Sequence, residues 1–205
     1  MVETNYRRFI RTGFFERKKL SLMTNVLRPT DVKFCAWCSS EMKWQDDKSF
    51  ATCEECGRKL FPNHKPCTAI ILESENKILL VRRNTEPKKG FLDLPGGFID
   101  ITDLSAEEGA SREAKEELGL NLTVERLKYI GSNTDNSYVY QDMGTPNLIF
   151  YYSISLTTEE ANSIKLDSEN SEFIWVKLNE IENHQLAFDC FWEIIEKFKE
   201  GLSLK

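Results

Sequence analysis

The sequence predicts an α/β fold behind a small cysteine-rich head, and three observations predict it. Two CxxC pairs fall close together within residues 31–62. Two β-prone runs, residues 67–72 (CTAIIL) and 77–82 (KILLVR), flank the turn signal of residues 73–76 and read as a hairpin. Beyond them, helical patterns alternate with further apolar runs, the signature of helices laid against a sheet. A chain of 205 residues accommodates one full domain plus a module, and 40% hydrophobic content supplies a real core.

The head comes first in the argument because its chemistry is the more specific. Cys35-Ala-Trp-Cys38 and Cys53-Glu-Glu-Cys56-Gly57 bring four thiolates toward one tetrahedral centre, the geometry that zinc takes in closed structural sites. Each CxxC is a tight knuckle whose backbone N–H groups face the ligand sulfurs. Four filled positions leave none open to water, so this zinc is structural or part of a docking surface. Disulfides need an oxidising compartment, and no secretory segment is visible. Cys67 and Cys190 stand outside any motif and are expected as buried free thiols. His64, eight residues past Cys56, reads as a structural or surface histidine.

In chain order the elements follow. After the hairpin, Arg82, Arg83 and Lys88 place positive charge at a strand end and loop, as phosphate contacts or as ordinary surface. Ser105 with Glu108 is a capping signature that starts a helix, and Gly119 ends it. Inside that helix Glu113, Glu116 and Glu117 are spaced i, i+3, i+4 on one face. An isolated acidic run is more often a solvated face, but clustered oxygen ligands also suit hard cations such as Mg²⁺ or Mn²⁺. Residues 122–130 and 148–156 read as strands separated by a polar loop, 131–145, and residues 173–176 as a short strand before a helical turn at 178–181. Phe188, Phe191, Trp192, Ile195 and Phe198 form an amphipathic stripe that closes the domain.

The stretch at residues 94–120, LPGGFIDITDLSAEEGASREAKEELGL, resembles the Nudix box, G-x5-E-x7-R-E-U-x-E-E-x-G-U with U aliphatic. Residues 112–120 match position for position, with Ala114 at the first U. From Gly97 to Arg112 the chain is one residue longer than the pattern; the early acid falls on Asp103, and Leu104 is the inserted residue. The joint order of the CxxC pairs, FPNHKP, LLVRR, LPGG and the box is similar to the zinc-ribbon-bearing branch of the Nudix hydrolases.

That resemblance implies an α/β/α sandwich with a mixed sheet at residues 63–205, a zinc ribbon at 31–62 and a basic extension at 1–30. It implies Mg²⁺ or Mn²⁺ held by Glu113, Glu116 and Glu117, with the backbone carbonyl of Gly97 nearby. Arg112 would orient a box carboxylate, Asp103 among them. Glu172, just before a strand, stands where relatives bring a further acid to the metals, as the base or as a plain surface glutamate. The implied reaction is water attack on the diphosphate of a nucleoside diphosphate linked to another moiety, of the NADH, ADP-ribose, FAD or dinucleoside polyphosphate type. Relatives that cleave NADH carry an SQPWPFP string after the box, which this chain lacks. Asp135 stands where a proline accompanies ADP-ribose, and Tyr138 where a tyrosine accompanies dinucleoside polyphosphates. Arg82 and Tyr138 are the candidate substrate contacts, although Tyr138 or Tyr140 would equally cap the core. The second reading is a weakly catalytic nucleotide sensor whose ribbon docks RNA or protein, with no residue that specifies RNA. Many relatives dimerise, so a homodimer is implied.

Charge bounds the partners. The net −6 divides into +5 over residues 1–30, seven Lys/Arg against Glu3 and Glu16, and −11 over the rest. An acidic body argues against general DNA binding. No run of 18 apolar residues spans a membrane. A cytoplasmic location is expected, or a mitochondrial one if residues 1–24 act as a presequence; Tyr6, Phe9, Ile10 and Phe14 trace a helical stripe there among arginines.

Overall fold

The computed structural model describes residues 28–140 and 143–203. The stripe and the basic charge of residues 1–27 lie outside the described residues. Among the described residues no helix is long and apolar enough to cross a membrane.

The head is a three-stranded antiparallel sheet of β1 (Met42–Trp44), β2 (Ala51–Cys53) and β3 (Lys59–Leu60). Its two knuckles close alike. The Ser39 N–H donates to the Cys35 carbonyl at 2.9 Å, and the Gly57 N–H to the Cys53 carbonyl at 3.1 Å. Both closing residues are left-handed, with φ 61° and 70°, a conformation that glycine, here Gly57, adopts freely.

The main sheet has the order β11 (Asn170–Lys177), β5 (Lys77–Arg83), β4 (Lys65–Ser74), β10 (Asn147–Ser155), β7 (Lys128–Asp135), with β6 (Leu92–Asp93) attached to β5. Its first two strands are the expected hairpin, β4 and β5, turned through Glu75 and Asn76, both at positive φ. β4 runs parallel to β10, while β10 is antiparallel to β7 and β5 to β11. The sheet is therefore mixed. β4 sits between partners and is buried on both faces, which explains its unbroken apolar run.

Pleating divides that run between two cores. Ile70 and Leu72 join Leu79, Val81 and Ile154 beneath α1 (Ala106–Leu118), which contributes Ala110, Ala114 and Leu118. Ala69 and Ile71 join Leu80, Ile149 and Tyr151 beneath α3 (Asp189–Ser203), which contributes Phe191, Ile194 and Ile195. The result is the expected α/β/α layering, with the predicted closing stripe on α3 facing the sheet.

One departure positions the site. Pairing between β4 and β5 is confined to Glu73–Ile78 and Ser74–Lys77, after which the strands part. β6 (Leu92–Asp93) and the LPGGF segment fill the gap. The segment is stitched to β4 by Ile70 N–H to Pro95 carbonyl at 2.9 Å, Thr68 N–H to Gly97 carbonyl at 2.8 Å and Ile99 N–H to Pro66 carbonyl at 3.0 Å.

Two sequence expectations shift. The strand expected at 122–130 begins only at Lys128, because Leu120 and Leu122 are buried against the α1 core and a short 3-10 turn, Val124–Arg126, follows them. The polar loop expected from 131 is strand as far as Asp135. Its polar side chains are satisfied in place: Asn133 donates to the Cys190 carbonyl at 3.0 Å and accepts from the Tyr151 hydroxyl at 2.8 Å. A short helix, α2 (Thr158–Asn162), capped by Thr157 and Glu160, had no counterpart in the sequence reading. A small hairpin, β8 (Val139–Tyr140) with β9 (Met143–Gly144), likewise interrupts the expected loop.

Candidate active site

α1 begins as the sequence predicts. The Ser105 hydroxyl accepts from the Glu108 N–H at 3.2 Å, while Glu108 accepts from the Leu104 N–H at 3.0 Å. Its far end stops at Gly119 in the left-handed conformation, φ 70°. Between these caps the helix lays its acids under the parted strands.

Arg112 is the hub. Its guanidinium donates to both oxygens of Asp103 (3.1 and 2.9 Å), to Glu113 and Glu116 (2.9 Å each) and to the Phe98 carbonyl (2.8 Å). The expected contact between Arg112 and Asp103 is present, and the guanidinium holds Asp103 below the usual carboxylate range. Arg112 is in turn pushed up by these acids, Asp103 first. Leu104, the inserted residue, is 88% exposed, so the extra length goes outward and leaves Asp103 facing the helix. Like charges at this spacing repel, and the cation between Glu113 and Glu116 relieves that repulsion.

Glu117 has a different surrounding. It is buried and accepts a hydrogen bond from the Gly96 N–H at 3.2 Å. Burial, then the charges of Asp93 and Glu113, push its carboxyl well above the usual range. Glu113 is also pushed up by burial, against the pull of Arg112. Desolvation wins in both because the carboxyls are removed from water more completely than they are compensated.

The two glycines do separate jobs. Gly96 has φ 151°, and a Cβ there would meet the Thr68 carbonyl oxygen at 2.1 Å and the Ala69 Cα at 2.7 Å. It permits the turn to lie on β4. A Cβ on Gly97 would meet the Glu113 carboxylate at 2.5–2.9 Å, so Gly97 makes room for a side chain of the site itself. The Gly97 carbonyl accepts from Thr68, which leaves it one further lone pair.

Asp93 was missed. It is buried, paired with Arg83 at 2.6 Å, and pushed up by burial; one of its oxygens, Oδ1, has no hydrogen-bond partner. The sequence shows it as a lone acid in FLDLPGG, and only the parting of β4 from β5 brings it near Glu117. Arg82 and Glu172 are brought together, but with each other. The Arg82 Nε lies 2.6 Å from the Glu172 carboxylate, and its Nη1 donates to the Gly90 carbonyl at 2.8 Å, tying down the preceding loop. Tyr138 packs between Phe98 and Phe188. It lines a cleft of about 500 Å³, open mouth included, with Arg83, Asp93, Gly97 and Asn147.

In the head, the sulfurs of Cys35, Cys38, Cys53 and Cys56 lie within 4.8 Å of one another, the arrangement expected for a zinc site. Backbone donation from Arg58 brings the Cys56 thiol down to about 6, toward the thiolate that binds metal. Among the described residues this is the group whose ligand atoms meet so closely; the helix glutamates, engaged by Arg112 and Gly96, are spread more widely. Cys67 and Cys190 are buried free thiols, as expected, and His64 is exposed against Asn136.

Known proteins place this arrangement. The NUDIX domain model matches residues 62–198. An ADP-ribose pyrophosphatase from Methanocaldococcus jannaschii is 43% identical over 72 residues, 34% of this chain and 42% of that protein. An NAD-capped RNA hydrolase, NudC, from Salmonella heidelberg is 28% identical over 100 residues, 49% of this chain and 37% of that protein. The matched segments thus span less than half of these curated relatives. Among solved structures, a NUDIX hydrolase from Nitrosomonas europaea shares the fold with a TM-score of 0.56 at 22% identity, over 82% of this chain and 89% of that one. The NUDIX domain of Shewanella oneidensis NrtR, solved with ADP ribose, does so with a TM-score of 0.57 at 24% identity, over 69% and 90%. With the family model matched across two thirds of its length, over the same parted strands, glycine turn and acidic helix, the chain belongs to the Nudix family.

Proposed function

We propose that the protein is a divalent-metal-dependent pyrophosphohydrolase that cleaves a nucleoside diphosphate linked to another moiety. The observation that carries this reading is the set of acids gathered at one glycine turn: Glu117 buried and Glu113 half-buried beneath it, Glu116 at the solvent side and Asp93 behind. Their donor chemistry suits Mg²⁺ or Mn²⁺, which take oxygen ligands. The buried, incompletely compensated carboxyls are the kind of site that a cation stabilises. Glu113, Glu116 and Glu117, with the free lone pair of the Gly97 carbonyl, would hold the metal. When bound, the metal supplies Lewis-acid stabilisation of the diphosphate and a lowered pKa for its water.

The chain's own residues do the rest. Arg112 fixes one oxygen of Glu113 and one of Glu116, and so orients the carboxylates of the helix. Glu117, raised by burial, accepts the proton of the attacking water in this reading. The cleft beside Gly97, walled by Tyr138 and Phe188, receives the organic part of the substrate. The ribbon holds structural zinc through its four cysteines. The reading extends to a cytoplasmic location, and to a homodimer on the pattern of relatives.

The alternative, a nucleotide sensor with a weak site, is favoured by the longer loop. The outward placement of Leu104 and the intact contact between Asp103 and Arg112 speak against it. The test is a phosphate-release screen of NADH, ADP-ribose, FAD and dinucleoside polyphosphates with Mn²⁺ or Mg²⁺. Turnover is expected that stops in EDTA and falls by about 10²–10⁴-fold in Glu117→Gln with the fold retained. Turnover that persists in EDTA sinks the reading.

A further inference from the structure

Among the described residues, four buried side-chain atoms have no hydrogen-bond partner: Thr68 Oγ1, Asp93 Oδ1, Asn147 Oδ1 and Asn170 Nδ2. The first three can accept, and the Thr68 hydroxyl can also donate. Asn170 Nδ2 can only donate, and none of the other three is bonded to it. The residue is 8% exposed, so bulk water does not serve its amide. A buried donor left unmade costs a fold free energy, and native proteins keep few.

The fold places this donor at the acid site. Asn170 opens β11 opposite Arg83 of β5, with Ser171 bulged out before the next pair, Glu172 with Arg82. Cross-strand partners share a face of the sheet. One pair further on, Phe173 stands opposite Val81; Val81 lies in the core beneath α1, and Phe173 packs against it. Arg83 is two residues from Val81, so Asn170 opposite it falls on that same face. Asp93 does too, paired with Val81 from β6 and joined to Arg83 at 2.6 Å. The segment ahead of β11 closes on the end of α1. The Lys165 N–H donates to the Leu118 carbonyl at 2.9 Å, and the Asp167 N–H to the Glu117 carbonyl at 3.1 Å. The charges of Asp167 and Glu169 are accordingly felt at Glu117 and Glu113. Asn170 therefore enters the sheet beside the glutamates of the helix.

The acids on that face have donors of their own. Glu113 is held by Arg112 at 2.9 Å, Glu117 by the Gly96 N–H at 3.2 Å and Asp93 by Arg83. Their field favours an amide turned with its NH₂ end toward them, yet none of them takes the bond. A free, neutral donor among carboxylates suits an oxygen that arrives with a ligand. We propose that Asn170 donates a hydrogen bond to a non-bridging oxygen of the substrate's diphosphate. The inference rests on the pyrophosphohydrolase reading for the presence of a diphosphate, and deepens it by naming a side chain of this chain that contacts it. A lysine or arginine at this place would pair with the carboxylates and compete with a metal ion for them. An amide does not, and its bond to an ionised phosphate oxygen is of the stronger, charge-assisted kind.

The test is equilibrium binding to the full chain of an ADP-ribose analogue whose bridging diphosphate oxygen is replaced by CH₂, read by titration calorimetry with Mn²⁺ present. Binding of Mn²⁺ alone is read separately by electron paramagnetic resonance. Asn170→Leu removes a donor that bonds nothing in the protein, so the ligand-free thermal midpoint is expected to hold or rise. Affinity for the analogue is expected to fall by at least about tenfold while affinity for Mn²⁺ stays within about twofold. If the leucine variant misfolds, the smaller Asn170→Ala reads the same two affinities. Unchanged affinity for the analogue in a folded variant overturns the proposal. An equal fall in Mn²⁺ affinity overturns it too, since the amide then serves the metal. Wild-type turnover with no change of affinity in the variant sinks this inference and leaves the hydrolase standing; binding that depends on Asn170 in a protein without turnover does the reverse.

Discussion

The ribbon and the acidic helix each gather like groups, and they hold them by opposite means. In the ribbon four sulfurs meet within 4.8 Å, beside two- and three-residue strands that bury little apolar surface. Below about 40 residues a module without a metal or disulfides seldom has enough core to stay folded, so here the ligand set is the core. Under α1 the order is reversed. Two apolar cores fix the sheet and helices first, and the acids are then tolerated by a shared guanidinium at Glu113 and Glu116 and by a raised pKa at Glu117. On the proposed reading, metal would make the fold in one region and find a made fold in the other.

Removing zinc gives the largest effect that follows from this contrast. Structural zinc contributes on the order of 10 kcal/mol to small modules. Chelation, or Cys35→Ser, is expected to open residues 31–62 to protease while residues 63–200 stay resistant, and metal analysis of the intact protein to find one zinc per chain. Equal loss of both regions would mean that the ribbon and the domain share one cooperative unit.

The glycine turn sharpens the comparison within the domain. Gly97→Ala drives a methyl into the Glu113 carboxylate, a mobile end, whereas Gly96→Ala drives it into β4 backbone at a positive φ. The first is expected to lower turnover by about 10–100-fold at nearly unchanged stability. The second is expected to destabilise by roughly 2–4 kcal/mol, as overpacking added to backbone strain. Matched losses of stability in the two variants would remove the distinction.

A smaller effect is a slope with pH. Glu117, Glu113 and Asp93 all have carboxyls raised in the fold, chiefly by burial. An unfolded glutamate releases its proton near 4.5, while the folded protein retains it to higher pH. Across that window these three groups bind more protons in the folded state, so their contribution to metal-free stability is full at low pH and is lost as pH rises through the folded values. Denaturation midpoints in EDTA are expected to drop as pH rises from 4.5 through the folded values of these carboxyls. Glu117→Gln should flatten the drop, since an amide has no proton to lose. Saturating Mn²⁺ should oppose it, because a bound cation favours the ionised form.

The sequence makes the two metal-type motifs legible because each is local. CxxC spacing and the i, i+3, i+4 glutamates are short-range patterns that a knuckle and a helix turn into geometry without outside help. Asp93, the most consequential omission, is non-local. It becomes a site residue because β4 and β5 separate beyond Glu73–Ile78, and no residue between 67 and 83 announces that parting. The error at 122–135 has a similar origin. Ser132, Asn133 and Thr134 read as loop because their partners, Cys190 and Tyr151 among them, lie elsewhere in the chain.

Glu172 tests how far a local reading carries, with the smallest expected effect. Its position before a strand suits a further acid at the metals, but the fold sets it against Arg82 at 2.6 Å, with about half its side chain exposed. An exposed pair of this kind contributes about 0–1 kcal/mol. Engaged by Arg82, which also holds the Gly90 carbonyl, Glu172 is expected to brace that loop. Glu172→Gln keeps the shape and one hydrogen-bonding oxygen, so turnover is expected within about threefold of wild type and stability within about 1 kcal/mol. Arg82→Ala, which also releases the Gly90 carbonyl, should then cost more than Glu172→Gln in KM. A fall of 10²-fold or more in kcat for Glu172→Gln, with KM unchanged, would instead make Glu172 the base and leave Glu117 a metal ligand alone.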